Sequence, residues 1–517
     1  MGEQPPPRLW LDMWKRFLIA GVLIVLLCGT ATAVWALRTA NQLAAEVFPK
    51  LNQIHTPTGL ITSIYSGGPK TFLILGSDKR YGSKNSEERL AAAHSDTMLL
   101  VRFDPEQEQT SVLSIPRDLL VSITAPGGQV YYPAKINSAY TIGSVLPGHD
   151  EGATLAAETV KKVLPGLKLN GIIDVTFTGF IRLVDKLGCV YVNVDHRYFN
   201  ENLGTPETDY TNINLQPGYQ KLCNENALAY VRYRHTDSDF VRVARQQDFL
   251  RDLREQVSPE LSQVGTIAKA VGHAISTNFP PSGSVLLELA KLIAFSQTKP
   301  LRQVQFQRNN VNYMLGGGSY VTTTPELAAA TLKDFLYGHE HLQAPSSHVA
   351  SSSHRGSHSH HSHSHSSGST NPAAIDLYPT PAADEEQAVS AAVQVPFPVL
   401  YPRLQSGPAT QETVRPYALR DQQGHLHHAY VVVYQQNILG GYYDVQGTDW
   451  LDPPIVSHPN ETQNRDGRTY MIFADGSHIH MVAWRHGKVL YWVINTLLEE
   501  LTNQQMLTIA DSVQPLR

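Results

Sequence analysis

Hydrophobic positions along this chain change their rhythm four times. Residues 17–37 (FLIAGVLIVLLCGTATAVWAL) form an uncharged apolar run about as long as a bilayer-spanning helix requires. From residue 70 to about 338 the pattern alternates. Short runs rich in β-formers at 70–75, 97–103 and 111–115 predict strands, and helical spacing marks 154–164, 179–187, 225–233, 239–257 and 285–296. That alternation predicts a layered α/β domain, reached through a helical stalk at 38–69. Residues 339–388 carry no periodicity and contain the tract SSSHRGSHSHHSHSHSSGST, which predicts a disordered linker; weak metal binding by its histidines is the alternative. From about residue 389 strand-like runs return at 429–434, 441–445, 469–473, 478–484 and 489–494. A closing helix over 496–513 completes a small α+β accessory domain, 389–517. Trp450, Trp484 and Trp492 in it suit core packing better than a carbohydrate surface.

Charge orients the apolar run. Arg8, Lys15 and Arg16 precede it and Arg38 alone follows closely, so the positive-inside rule puts residues 1–16 in the cytoplasm and the rest outside. A cleaved signal ending in Ala31-Thr32-Ala33 and a lipidated Cys28 are the alternatives. The length of the run, which continues past both cysteine and cleavage pattern, favours an uncleaved single-pass anchor at the cell membrane. With 517 residues, 42% of them hydrophobic, the chain can build two or three cored domains. Its formal net charge of −5 supplies no global basic field, and no helix-turn-helix is evident, so no nucleic-acid partner is expected.

Two stretches concentrate chemistry. If the strands at 70–75 and 97–103 pair antiparallel, and the turn at 104–109 returns the third strand, then Asp78, Asp96 and Arg117 meet at one sheet edge. Two carboxylates there suit a hard divalent cation, Mg²⁺ first, although turn and strand-cap roles explain them equally well. The second stretch, VRYRHTDSDFVRVARQQ (231–247), holds Arg232, Arg234, Arg242 and Arg245. A helix capped at Ser238 or Asp239 sets Arg242 and Gln246 four residues apart on one face. Converging guanidiniums match pyrophosphate oxygens, with Asp237 and Asp239 orienting them; a solvated charged helix face is the plainer alternative.

GSDKR (76–80), HSDTMLLVRFDP (94–105), LSIPRDLLV (113–121), KINSAY (135–140), DVTFTGFIRLVDKLG (174–188) and YVRYRHTDSDFVRVARQQ (230–247) together resemble the LytR–CpsA–Psr family, in the family's order. The resemblance covers roughly residues 65–255 and extends to about 338. It implies an α/β/α domain around a central mixed sheet over 70–338. It also implies Mg²⁺, or Mn²⁺ in its place, on Asp78 and Asp96. It implies pyrophosphate contacts from Arg80, Arg117, Lys135, Arg232, Arg234, Arg242, Arg245 and Gln246, with catalytic roles for Arg117, Arg242 and Asp239. The implied activity is transfer of a glycopolymer from a polyprenyl-pyrophosphate carrier to peptidoglycan through a phosphodiester, at the outer face of the membrane. Hydrolysis of the same donor, or non-catalytic binding of lipid or wall glycan, are the competing functions. Where the family commonly has Gly-Gly-Val and Leu-x-Gly, this chain has Gly188-Cys189-Val190 and Leu222-Cys223-Asn224. Both departures introduce cysteine in an oxidising compartment, which predicts a Cys189–Cys223 disulfide.

Overall fold

The structure, a computed structural model, describes residues 37–78, 93–145, 152–205, 211–234, 237–256, 274–338, 376–437, 441–465 and 467–516. The predicted anchor at 17–37, Arg80 and the Ser/His tract therefore lie outside the described residues, apart from Leu37. Among the described residues no helix is long and apolar enough to cross a membrane.

The first domain runs through β1 (Asn52–Gln53), β2 (Lys70–Ser77), β3 (Ser95–Asp104), β4 (Gln109–Ser114), β5 (Leu120–Thr124), β6 (Val130–Lys135), α1 (Ser138–Val145), α2 (Gly152–Val163), β7 (Gly171–Thr176) and α3 (Phe177–Lys186). It continues with β8 (Val190–Val194), β9 (Gly218–Leu222), α4 (Asn224–Arg232), α5 (Asp239–Gln256), β10 (Ile275–Thr277), α6 (Gly283–Gln297), β11 (Leu301–Val304) and α7 (Pro325–Tyr337). Seven strands form one mixed sheet in the order β1-β10-β7-β2-β3-β4-β11. β2 pairs antiparallel with β3 and parallel with β7, and β3 pairs antiparallel with β4.

Alternation along β2 decides what covers each face. Leu73 and Leu75 pack with Leu100 and Leu113 against Tyr140 of α1, Ala156 and Val160 of α2 and Leu332 of α7. Phe72, one residue out of phase, packs with Phe279, Val285 and Leu286, and with Ala44 and Phe48. The result is the three-layer α/β/α arrangement, since successive side chains of a strand leave on opposite faces.

That second layer corrects the predicted stalk. Residues 37–47 are helical, and Ala44, Phe48, Ile54, Leu60 and Ile64 are buried. β1 belongs to the sheet through its parallel pairing with β10. The segment 38–69 is thus part of the domain: without it the Phe72 face of the sheet would stand open to water.

The second domain contains α8 (Ala382–Ala392), β12 (Thr410–Arg420), β13 (Leu426–Asn437), β14 (Gly441–Thr448), β15 (Glu461–Arg465), β16 (Arg468–Asp475), β17 (His478–His486), β18 (Val489–Ile494) and α9 (Asn503–Ser512). Its seven-stranded sheet is antiparallel throughout, in the order β12-β13-β14-β18-β17-β16-β15. Two expected boundaries change. α8 falls largely inside the segment read as linker, because Ala388 and Ala391 alone bury it and small residues leave a weak apolar signature. The closing helix begins at Asn503 rather than 496. Thr502 and Gln505 form a capping box there, while Asn495 Oδ1 accepts from the Thr496 and Leu501 amides and holds the preceding turn apart. Trp484 and Trp492 are buried in the cores.

Candidate active site

β2 and β3 deliver their carboxylates side by side. The Asp78 amide donates to the His94 carbonyl at 3.1 Å, and the His94 amide donates back to Asp78 Oδ1 at 2.6 Å. Asp78 thus closes the β2 end beside the start of β3, where Asp96 sits one residue beyond the Ser77–Ser95 pairing. β4 then returns to the same edge, and Pro116 ends it, so the chain turns and exposes Arg117 and Asp118.

Arg117 is the hub of this edge. Its Nη1 donates to Asp96 Oδ1 at 2.7 Å, and its Nε lies 3.5 Å from Asp118 and 3.4 Å from Asp239. Lys135, at the end of β6 opposite Leu120, reaches Asp118 at 2.7 Å. The hairpin β5–β6 therefore carries a second cation back to the residue beside Arg117.

The helix α5 supplies the other wall. Ser238 Oγ accepts from the Val241 amide and caps it, which places Asp239 in the first turn, where a carboxylate is favoured by the helix dipole. Asp239 Oδ1 gathers three arginines from three segments: Arg242 at 2.6 Å, Arg117 at 3.4 Å and Arg234 at 3.6 Å. Arg232 lies over the Phe177 ring at 4.1 Å and acts electrostatically on Asp96.

Burial and charge set opposite balances on these groups. Burial alone would raise the Asp96 carboxyl, but Arg117, with Arg242 and Arg232, outweighs it and holds Asp96 below its usual range. Asp239 goes the other way: burial raises it more than Arg242 and Arg117 lower it. Arg242, 3% exposed, is pushed below its ordinary value by burial that Asp239 only partly offsets. Among the described residues its Nε is buried without a hydrogen-bond partner.

Two residues expected at the anion face elsewhere. Arg245 is fully buried; its guanidinium donates to Asp237, to the Tyr198 hydroxyl at 3.1 Å and to the Tyr230 and Tyr233 carbonyls at 3.2 and 2.9 Å. With those donors engaged and the rings of Tyr198 and Tyr230 packed on it, it holds the base of α5 to α4 instead of facing the cluster. Gln246 donates to the Val231 carbonyl at 3.0 Å and is likewise nearly buried. Asp118, not among the expected site residues, is a member of the cluster, and so is His94, whose amide orients Asp78. The expected disulfide is present: Cys189 and Cys223 are bonded with 4.8 Å between their Cα atoms.

The donor set suits a hard divalent ion. Asp78 and Asp96 would offer carboxylate oxygens at adjacent strand ends, Asp96 is kept ionised, and Mg²⁺ characteristically takes one or two carboxylates with substrate phosphate oxygens.

Among curated relatives, Biofilm regulatory protein A of Streptococcus mutans serotype c is 28% identical over 328 residues, covering 62% of this chain and 76% of that protein. Polyisoprenyl-teichoic acid–peptidoglycan teichoic acid transferase TagU of Halalkalibacterium halodurans is 30% identical over 219 residues, 42% of this chain and 62% of the relative. TagV of Bacillus subtilis, named for the same transfer, is 30% identical over 214 residues, 41% of this chain and 50% of the relative. A solved structure titled TagT bound to LIIa-WTA aligns with a TM-score of 0.40 at 22% identity, covering 55% of this chain and 98% of that one. The sequence model of the LytR_cpsA_psr family matches residues 39–335, which takes in both walls of the cluster and more than half of the chain, and the protein is therefore a member of the LytR–CpsA–Psr family.

Proposed function

We propose that the protein is a membrane-anchored, extracytoplasmic phosphotransferase that moves a glycopolymer from a polyprenyl-pyrophosphate carrier to peptidoglycan through a phosphodiester bond. The supporting observation is the convergence of Arg117, Arg234 and Arg242 on one carboxylate, Asp239, beside Asp96. Two relatives carry the name of a transferase that joins teichoic acid to peptidoglycan. Phosphoryl transfer asks a protein chiefly to position the reactants and neutralise developing charge. Arg117 and Arg242 are assigned to the pyrophosphate oxygens, with Arg232, Arg234 and Lys135 at the rim. Asp239 fixes the spacing of the guanidiniums. Asp78 and Asp96 would hold Mg²⁺, or Mn²⁺ in its place, which when bound would neutralise charge on the bridging and leaving oxygens. The uncharged run at 17–37 would keep the site near a lipid-borne donor.

The test uses the full chain in detergent with Mg²⁺, a polyprenyl-pyrophosphate glycan and peptidoglycan. Covalent glycan–peptidoglycan product is expected, lost in Asp78→Ala/Asp96→Ala. Release of free phosphoglycan alone would replace transfer by hydrolysis, and turnover unchanged in the double variant would remove the metal assignment.

A further inference from the structure

The segment after β11 carries a cation that the cluster does not use. Arg308 stacks its guanidinium on the ring of Phe240, 3.8 Å from the centroid, and Phe240 directly follows Asp239. Its own hydrogen bond is a long one, 3.4 Å from Nη1 to the Phe306 carbonyl. Among the described residues no carboxylate lies within ion-pair distance of it. Burial pushes its pKa down, and no charge offsets that shift. A half-buried guanidinium held flat on an aromatic ring, with most of its edge donors unengaged, is preorganised for an oxyanion.

Its surroundings say which oxyanion. Arg308 borders a pocket of about 90 Å³ whose one wall is Asp239 and Phe240, and whose other wall is Leu497, Leu498 and Glu499 of the second domain. It also borders an open groove of about 570 Å³ along residues 305–311. The pocket takes in Asp239 and residues of the second domain, whereas the groove is lined by the first domain, and Arg308 lines both. Asp239, Asp475 and Glu499 all line the small pocket, so the open groove, which has no acidic lining residue among those described, is the side of Arg308 that suits an anion.

We propose that Arg308 binds an anionic group, phosphate or carboxylate, on the glycan portion of a substrate whose pyrophosphate occupies the cluster, with the groove along residues 305–311 taking the glycan. The proposal rests on the transferase reading and extends it from the pyrophosphate to the sugar chain. Registration of the glycan at Arg308 selects charged polymers over neutral ones.

The test measures binding by the full chain, in detergent with Mg²⁺, of three probes: bare polyprenyl pyrophosphate, the same lipid carrying a glycan with phosphodiester groups, and a soluble muropeptide bearing carboxylates. Arg308→Gln, which keeps the bulk and removes the charge, is expected to weaken the lipid-linked anionic glycan about tenfold. The bare lipid should bind as in wild type, and Arg308→Lys should recover part of the loss. A loss confined to the lipid-linked glycan is the expected result, and a loss for the muropeptide instead overturns the assignment to the donor glycan. Equal weakening of all three probes, or of none, overturns the proposal. Wild-type protein that fails to hold the bare lipid overturns the transferase reading beneath it, a result the Arg308 variants cannot produce.

Discussion

Asp239 lies 2.6 Å from Arg242, whereas Arg245, three residues further along the same helix, directs its donors to Asp237, Tyr198 and two backbone carbonyls. The two arginines should therefore fail differently when removed. Arg242→Ala is expected to lower transfer 100-fold or more, in the range of about 3–4 kcal/mol found for lost transition-state donors, with little change in melting temperature. Arg245→Ala breaks the buried ion pair with Asp237. It should destabilise the fold by roughly 3–5 kcal/mol, with inactivity following from unfolding. Thermal melts run beside activity assays separate the two, and equal melting temperatures for both variants would contradict the division. Sequence spacing put both arginines at the anion and could not divide them. Residues three apart on a helix leave in directions about 60° apart, and only the neighbours decide which direction is core.

At the scale of elements, the cluster depends on how α3 and α4 are joined. α3 ends in a Schellman motif: Gly188, at φ +87°, donates to the Asp185 carbonyl and the Cys189 amide donates to that of Val184. Cys189 itself sits at φ +69°, a conformation that suits glycine, so the bridge occupies a position where a side chain is costly. Its partner Cys223 precedes α4, whose far end carries Arg232 and leads to Arg234. The bond closes a loop of 34 residues, worth about 3–4 kcal/mol in the chain-entropy model. Cys189→Gly/Cys223→Ala should recover part of that through the relaxed turn. Cys189→Ser/Cys223→Ser keeps the strain without the bridge and should melt lower than the glycine variant. The reverse order would show that backbone conformation at 189 is immaterial.

Over the whole molecule, the second domain is docked on the helix that bears the site. Tyr191 and Tyr219 of the first domain share an apolar cluster with Leu419, Phe473 and Trp492 of the second. Asn193 Nδ2 donates to Asp444 Oδ2 at 2.8 Å, and the Gln303 amide donates to Asp475 Oδ1 at 2.7 Å. Burial pushes Asp444 up to about 7, more than its bonds from Asn193 and Gln446 lower it. A carboxyl raised in the folded state favours folding while protonated. Its contribution is complete below the ordinary carboxylate value near 4 and is lost as pH rises through about 7. The docked state should therefore weaken between pH 4 and 7 on this group's account. Asp444→Asn is expected to flatten that slope and to raise the melting temperature relative to wild type at pH 8 by several degrees; melts across the range check it. A parallel slope in both proteins would remove Asp444 from the cause.

The local sequence of this protein determined three central strands of the first sheet, five strands of the second, several helices, the concentration of arginines near residue 240 and the cysteines that bond, because period, caps and charge density are properties of short stretches. Tertiary structure alone decided the rest. Residues 38–69 became a layer of the domain because the Phe72 face of the sheet needed a cover, a demand no local pattern expresses. Asp118 joined the cluster because β5 and β6 fold Lys135 back onto it. Arg245 left it because three tyrosines from distant positions enclose it. Arg308 acquired its place through Phe240, some seventy residues earlier in the chain. Contacts between residues far apart in sequence depend on which surfaces are brought together to exclude water, and that is settled only when the whole chain packs.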